Sequence, residues 1–238
     1  MKGRRLFVLA FLFLSSATAR ATQESARAQA PTKKPPVAPA SRTPGDATAS
    51  VEQLEAAVKR DPGNPKLHVA LGLAYWDRND SARALAAFQR AVKVGPSSAE
   101  AHNWLGVALS EKADLPGAIA ALRKAVDLDP TYGRAYTNLG AALVRSGDFS
   151  EAVAVFQKAL ALEPNSLAAH TNLGMALREK GDTEAALEHL RRVAAGDPDN
   201  AGVHYELGQT LQQSGDLAGA VGAFEKALEK DPELREAY

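Results

Sequence analysis

Six prolines, Pro62, Pro96, Pro130, Pro164, Pro198 and Pro232, stand 34 residues apart with no insertion or deletion between them. In register with them run Leu71-Gly72, Leu105-Gly106, Leu139-Gly140, Leu173-Gly174 and Leu207-Gly208. Ala84, Ala118, Ala152, Ala186 and Ala220 follow twelve residues after each glycine, and four residues later come Phe88, Leu122, Phe156, Leu190 and Phe224. Small residues are needed where two helix backbones approach closely, and large ones fill the space beside them. A period this regular makes each block one unit that buries its apolar surface only by stacking on its neighbours.

The third block, 133–166, shows what one unit is. Tyr136, Leu139, Gly140 and Leu143 fall at helical spacing and give a short helix one apolar face. Gly147 supplies a residue able to turn left-handed, and Asp148 with Glu151 three places on predicts a capping box for a second helix. That helix carries Ala152, Phe156, Ala159, Leu160 and Leu162 on one stripe before Pro164 stops it. A hairpin of two helices of about 13 residues is too short to hold alone, since isolated helices need roughly 12–15 residues for even marginal stability. The chain is therefore expected to be all-α, with each hairpin leaning on the next.

These markers resemble the tetratricopeptide repeats, and the resemblance covers about residues 50–238. It implies a right-handed α-solenoid of stacked helix-turn-helix repeats. The units are expected at 65–98, 99–132, 133–166, 167–200 and 201–234, after a half-repeat helix at 50–64 that covers the first hairpin. Two features depart from the family pattern. The early large aromatic is replaced by His68, His102, His170 and His204, with Tyr136 in the third unit, and the later tyrosine survives only as Tyr75. Two places look strained. Val193 replaces an alanine and Gly196 a larger apolar residue, which predicts a loosened joint between the fourth and fifth units. Lys230 and the short tail 235–238 leave the last hairpin without a polar capping helix, so part of its apolar face is expected to be exposed.

The first 21 residues do not fit the period. Lys2, Arg4 and Arg5 precede an apolar run, Leu6 to Leu14, and then Ala17-Thr18-Ala19 or Ala19-Arg20-Ala21 as small-x-small cleavage sites. Nine apolar residues fall well short of the roughly 20 that span a bilayer. A cleaved signal peptide over 1–21 and a periplasmic or secreted protein are expected, with no stable membrane insertion after cleavage. Residues 22–49 hold Pro31, Pro35, Pro36, Pro39 and Pro44 among Ala, Ser, Thr and Lys, a Pro/Ala-rich composition expected to form a disordered linker. Cleavage would remove Lys2, Arg4, Arg5 and Arg20 and no acid, leaving 24 basic against 28 acidic side chains, a net charge of about −4. That balance argues against nucleic acid as a partner. With no cysteine, thiol catalysis, disulfides and cysteine-ligated metals are excluded.

Catalytic residues are not expected. No G-x-S-x-G elbow or phosphate-cradling glycine loop is present. The histidines recur at one place in the unit, but equivalent sites on stacked helices lie about 8–10 Å apart. Zinc needs its nitrogens at roughly 2.0–2.1 Å, so packing histidines are expected, with no metal and no cofactor.

What remains is a surface. The resemblance implies that the first helix of each unit lines a concave groove that holds a protein or peptide segment. Carried onto this sequence, the groove includes Val69, Leu73 and Trp76, then Asn103 and Trp104, then Asn138, Asn172 and Arg178, and finally Tyr205, Glu206 and Gln209. Asn138 and Asn172 are equivalent, and an amide that donates and accepts suits a peptide backbone. Trp76 and Trp104 suit anchors for a partner. The basic residues of the family's carboxylate clamp are missing, because Val69, Asn103, Thr137, Ala168 and Gly202 stand in their places. A non-enzymatic, cell-envelope scaffold for proteins or peptides is the expected function. The alternative is a structural module that self-associates weakly through its last repeat.

Overall fold

The structure is a computed structural model that describes residues 50–234. The expected signal peptide, the linker and the tail 235–238 lie outside the described residues. Within them are eleven α-helices and no strand. These are α1 (Val51–Arg60), α2 (Pro65–Asp77), α3 (Ser81–Val94), α4 (Ala99–Glu111), α5 (Leu115–Leu128), α6 (Gly133–Ser146), α7 (Phe149–Leu162), α8 (Leu167–Glu179), α9 (Thr183–Gly196), α10 (Ala201–Ser214) and α11 (Leu217–Lys230). They divide into two compact units, 50–172 and 173–234.

In the first unit the pairs α2–α3, α4–α5 and α6–α7 pack as hairpins. What brings each pair together is the glycine-to-large contact. A Cβ on Gly72 would stand 2.4 Å from Phe88, one on Gly106 2.5 Å from Leu122, and one on Gly140 2.5 Å from Phe156. No real Cβ survives at such a distance, so the second helix lies directly on the first one's backbone. Phe88 and Phe156 are wholly buried, and each such burial is worth about 1.5–3 kcal/mol. Helix α1 closes onto α2 by polar contacts. Tyr75 donates its hydroxyl to Glu55 at 2.5 Å, which raises the phenol's pKa, and Arg78 bonds Glu52 at 3.1 Å.

The second unit repeats the device. A Cβ on Gly174 would stand 2.7 Å from Leu190, and one on Gly208 2.5 Å from Phe224. Its core joins Leu187, Leu190 and Val193 of α9 to Val203, Leu207 and Leu211 of α10 and to Phe224 of α11.

The turn inside each hairpin needs one left-handed residue. Gly147, Gly181 and Gly215 supply it at φ 88–89°, and Asn79 and Ala113 stand at the same place in the first two hairpins with φ 59° and 61°. An alanine there bears a steric cost of about 1–2 kcal/mol. The turn between units is held differently. His68, His102, His170 and His204 each place Nε2 at 2.9–3.1 Å from the carbonyl oxygen of the proline six residues back. The carbonyl only accepts, so Nε2 carries the proton and donates.

Three local expectations are corrected. Asp148 makes no cap bond to its helix; its carboxylate accepts from Ser146 Oγ at 2.7 Å instead, so the capping box with Glu151 does not form. A capping box is present at Ser50 and Gln53. Leu162, placed on the buried stripe, is 40% exposed. The joint between α9 and α10 is not loosened: Val193 is 1% exposed and fills the seam. Gly196 is itself exposed, so the absent side chain leaves no hole. At the last helix, Lys230 reaches back to Asp199 at 2.6 Å, and Leu217 is 50% exposed.

Candidate partner-binding site

In the first unit α2, α4 and α6 lie side by side, because each is the first helix of its hairpin and the second helices are stacked behind. Of the residues expected on their shared face, the structure leaves Leu73, Trp76 and Asn138 half-buried, and Asn172 on α8 is half-buried as well. It buries Val69, Asn103 and Trp104, and that is a correction. Asn103 has no exposed area, and Val69 and Trp104 keep only 3% and 6%. Asn103 lies in the seam between α4 and α6, where it accepts from Asn138, and Trp104 lies against Phe88 of α3.

Trp104 is spent on packing. Its ring stacks on Phe88 at 6.1 Å and 15°, while Trp76 meets the same phenyl at 6.0 Å and 49°. Phe88 is thus held between two indoles, and only Trp76 keeps part of its surface open. Behind the face runs an amide chain. Asn138 Nδ2 donates to Asn103 Oδ1 at 2.8 Å, and Asn103 Nδ2 makes a long 3.5 Å contact to the Tyr132 hydroxyl. Two turns further on, Arg145 Nη1 donates to Ser110 Oγ at 2.6 Å. The face that results is apolar around Leu73 and Trp76 and polar around Asn138, with the Arg145 guanidinium tied to a neutral hydroxyl further along.

In the second unit the expected residues Arg178, Tyr205 and Gln209 do come together. Arg178 Nη1 donates to Glu206 Oε2 at 2.7 Å and also to Gln209, while Nη2 donates to Glu179 at 3.2 Å. Gln209 Nε2 donates to the Tyr205 hydroxyl at 2.9 Å, and Tyr205 packs on Phe224 at 5.6 Å. Gln213 Nε2 caps the Arg178 carbonyl oxygen at 3.1 Å. The guanidinium is therefore already engaged by the protein's own groups. Burial pushes the Glu206 carboxyl above its ordinary range, Arg178 pulls it back, and the charge on Glu179 pushes it further up. Sequence reasoning placed Glu206 inward but missed its pairing. Twenty-eight residues separate it from Arg178, the same spacing as the exposed pair Arg123–Glu151.

The remaining surface has little chemistry. Between α5 and α6 lies an open cleft of about 390 Å³ lined by Leu115, Ile119, Arg123 and Leu143. Among the described residues no group of three or more His, Asp or Glu side chains is placed to hold a metal ion, and no helix is long and apolar enough to cross a membrane.

Stacked two-helix units with a glycine-to-large seam, a left-handed hairpin turn and a 34-residue period define a helical-repeat protein. The chain belongs to the tetratricopeptide repeats: the family described as the cilia and flagella-associated protein 70 C-terminal domain matches residues 11–237. No curated protein matches the sequence significantly. Solved structures share the fold. YrrB, described as a tetratricopeptide protein with an unusual peptide-binding site, is 24% identical with a TM-score of 0.64 over 79% of this chain and 97% of its own. MamA is 26% identical with a TM-score of 0.60, over 70% of this chain and 97% of its own. The Cut9–Hcn1 complex of the APC/C gives a TM-score of 0.70 at 18% identity, over 79% of this chain and 37% of the matched one.

Proposed function

We propose that this protein is a non-enzymatic scaffold that binds a protein or peptide segment on the first-helix face of its repeats, within the cell envelope. The observation that carries the reading is the half-open apolar pair Leu73 and Trp76 on α2, with the half-open amide Asn138 further along the same row of first helices, on α6. A similar fold with a peptide-binding site in YrrB supports it. The envelope location rests on the basic start, the short apolar run and the Ala-x-Ala sites at the N-terminus.

A photo-crosslinker at Asn138 in cells tests the face. A discrete adduct should form, and Leu73→Ser with Trp76→Ser should reduce it at least tenfold while leaving helicity unchanged. Arg123→Ala, on a second helix, should not affect it. An adduct indifferent to the double substitution would remove the assignment. An adduct consisting of a second copy of this chain would replace the scaffold reading with the self-associating one.

A further inference from the structure

The turn between α2 and α3 carries a short pattern that the repeat does not account for. Asn79, Asp80 and Ser81 read Asn-x-Ser, and no other asparagine of the sequence has a serine or threonine two places on. That spacing is the acceptor for joining a glycan to asparagine, which needs an accessible turn in an exported protein. The left-handed turn explains the asparagine by itself, since asparagine is among the residues that tolerate its φ of 59°. It does not explain the serine. The second helix starts on Leu115, Phe149, Thr183 and Leu217 in the other hairpins, and on Ser81 in this one. Only here do an asparagine and a hydroxyl coincide.

The structure presents both groups. Asn79 and Ser81 are exposed, and among the described residues no hydrogen bond uses either side chain. Other asparagines are occupied: Asn64 and Asn200 cap helices, and Asn103 and Asn138 bond each other. Backbone groups hold the turn instead. The Asn79 N–H donates to the Trp76 carbonyl at 2.8 Å, and the Arg78 and Asp80 N–H groups donate to the Tyr75 carbonyl at 3.1 and 2.9 Å. Asp80, between the two groups, is kept out of the way. It accepts from the Arg83 backbone N–H at 3.0 Å and from Arg83 Nε at 2.5 Å, so its charge is paired and turned back onto α3. Asp77, exposed at the end of α2, stands two places before the amide and offers a carboxylate to a cationic group of an enzyme reading the turn.

We propose that Asn79 is a glycan attachment site, modified on the finished hairpin turn. Such transfer requires export, so the site rests on the envelope location proposed above. The donor is an oligosaccharide linked to a polyprenyl diphosphate. Asn79 Nδ2 forms a bond to C1 of its first sugar, and the C1–O bond to the diphosphate breaks. The polyprenyl diphosphate leaves with that electron pair, and one amide proton passes to a base of the transferring enzyme. The Ser81 hydroxyl is the group by which that enzyme recognises the turn.

The test is mass spectrometry of the full chain recovered from the cells that make it, reading the peptide that spans Asn79 and the N-terminus. The Asn79 peptide should carry an added glycan mass, and the N-terminus should lie beyond the signal. Asn79→Gly, which suits the turn as Gly147 does, should remove the added mass with helicity unchanged. Ser81→Ala should remove it too, and Ser81→Thr should keep it. A chain that has lost its signal but is bare at Asn79 would overturn the glycan site and leave the envelope location standing. A bare chain that keeps residues 1–21 would overturn both. Added mass that persists in Asn79→Gly or in Ser81→Ala would overturn the assignment to this turn.

Discussion

Two joints of this molecule solve the same problem with different chemistry. Where α4 meets α6, Asn138 donates to a wholly buried Asn103, and no charge is involved. Where α8 meets α10, the equivalent place holds Glu206, tied to Arg178 and crowded by Glu179. The backbone frame is common to both, down to the glycine that accepts a large side chain on its back, Gly140 in one and Gly208 in the other. The difference teaches that the frame fixes position and leaves electrostatics to the individual unit. One joint is built from neutral amides, and the other holds a carboxyl that burial pushes above its ordinary range.

That contrast can be broken most severely at Arg178. Arg178→Ala leaves Glu206 buried without its cation, and removal of one partner of such a pair costs about 3–5 kcal/mol. Chemical denaturation at pH 7.5 should show the loss in the transition that includes α8 and α10. The same variant in acid should lose much less, because the protonated carboxyl no longer needs the cation. Equal losses at both pH values would mean that Arg178 acts only by packing. Asn103→Ala tests the neutral joint. It strips Asn138 of its acceptor and should cost about 1–3 kcal/mol, and the loss should be the same at pH 5 and pH 8. The smallest effect is expected at Arg123, whose pairing with Glu151 has the same spacing as Arg178 with Glu206 but lies at 54% and 46% exposure. Arg123→Ala should change stability by no more than about 1 kcal/mol and lose even that in high salt. A larger effect would show that spacing, not burial, sets the strength of these ties.

Much of the frame was legible because it repeats. The Leu-Gly pair, the alanine twelve residues on and the Phe or Leu four beyond it announce a close helix contact, and Gly72–Phe88 and Gly140–Phe156 deliver it. The left-handed turns at Gly147, Gly181 and Gly215 were legible for the same reason. Ala113 was not, since nothing in an alanine signals positive φ; only its register with the glycines does. The expected face was legible in outline only. Helical spacing tells which side of a first helix points away from its own hairpin partner. It does not tell what the neighbouring helices cover: Asn103 is taken up by Asn138 of α6 and Trp104 by Phe88 of α3, and Val69 is buried too, while Leu73 and Trp76 stay half-open. The ties between units were hidden for a further reason. Asn103–Asn138, Ser110–Arg145 and Arg178–Glu206 join different places in successive units, so they leave no trace in a comparison of like with like.

The imidazole bound to the proline carbonyl six residues earlier has a consequence for how such a chain can lengthen. Donor and acceptor lie within one short stretch of sequence, so a duplicated 34-residue segment arrives with its own fastening at the bend. Copying errors in a gene of this kind need not be repaired by compensating changes elsewhere. Growth by whole blocks is the path of least resistance.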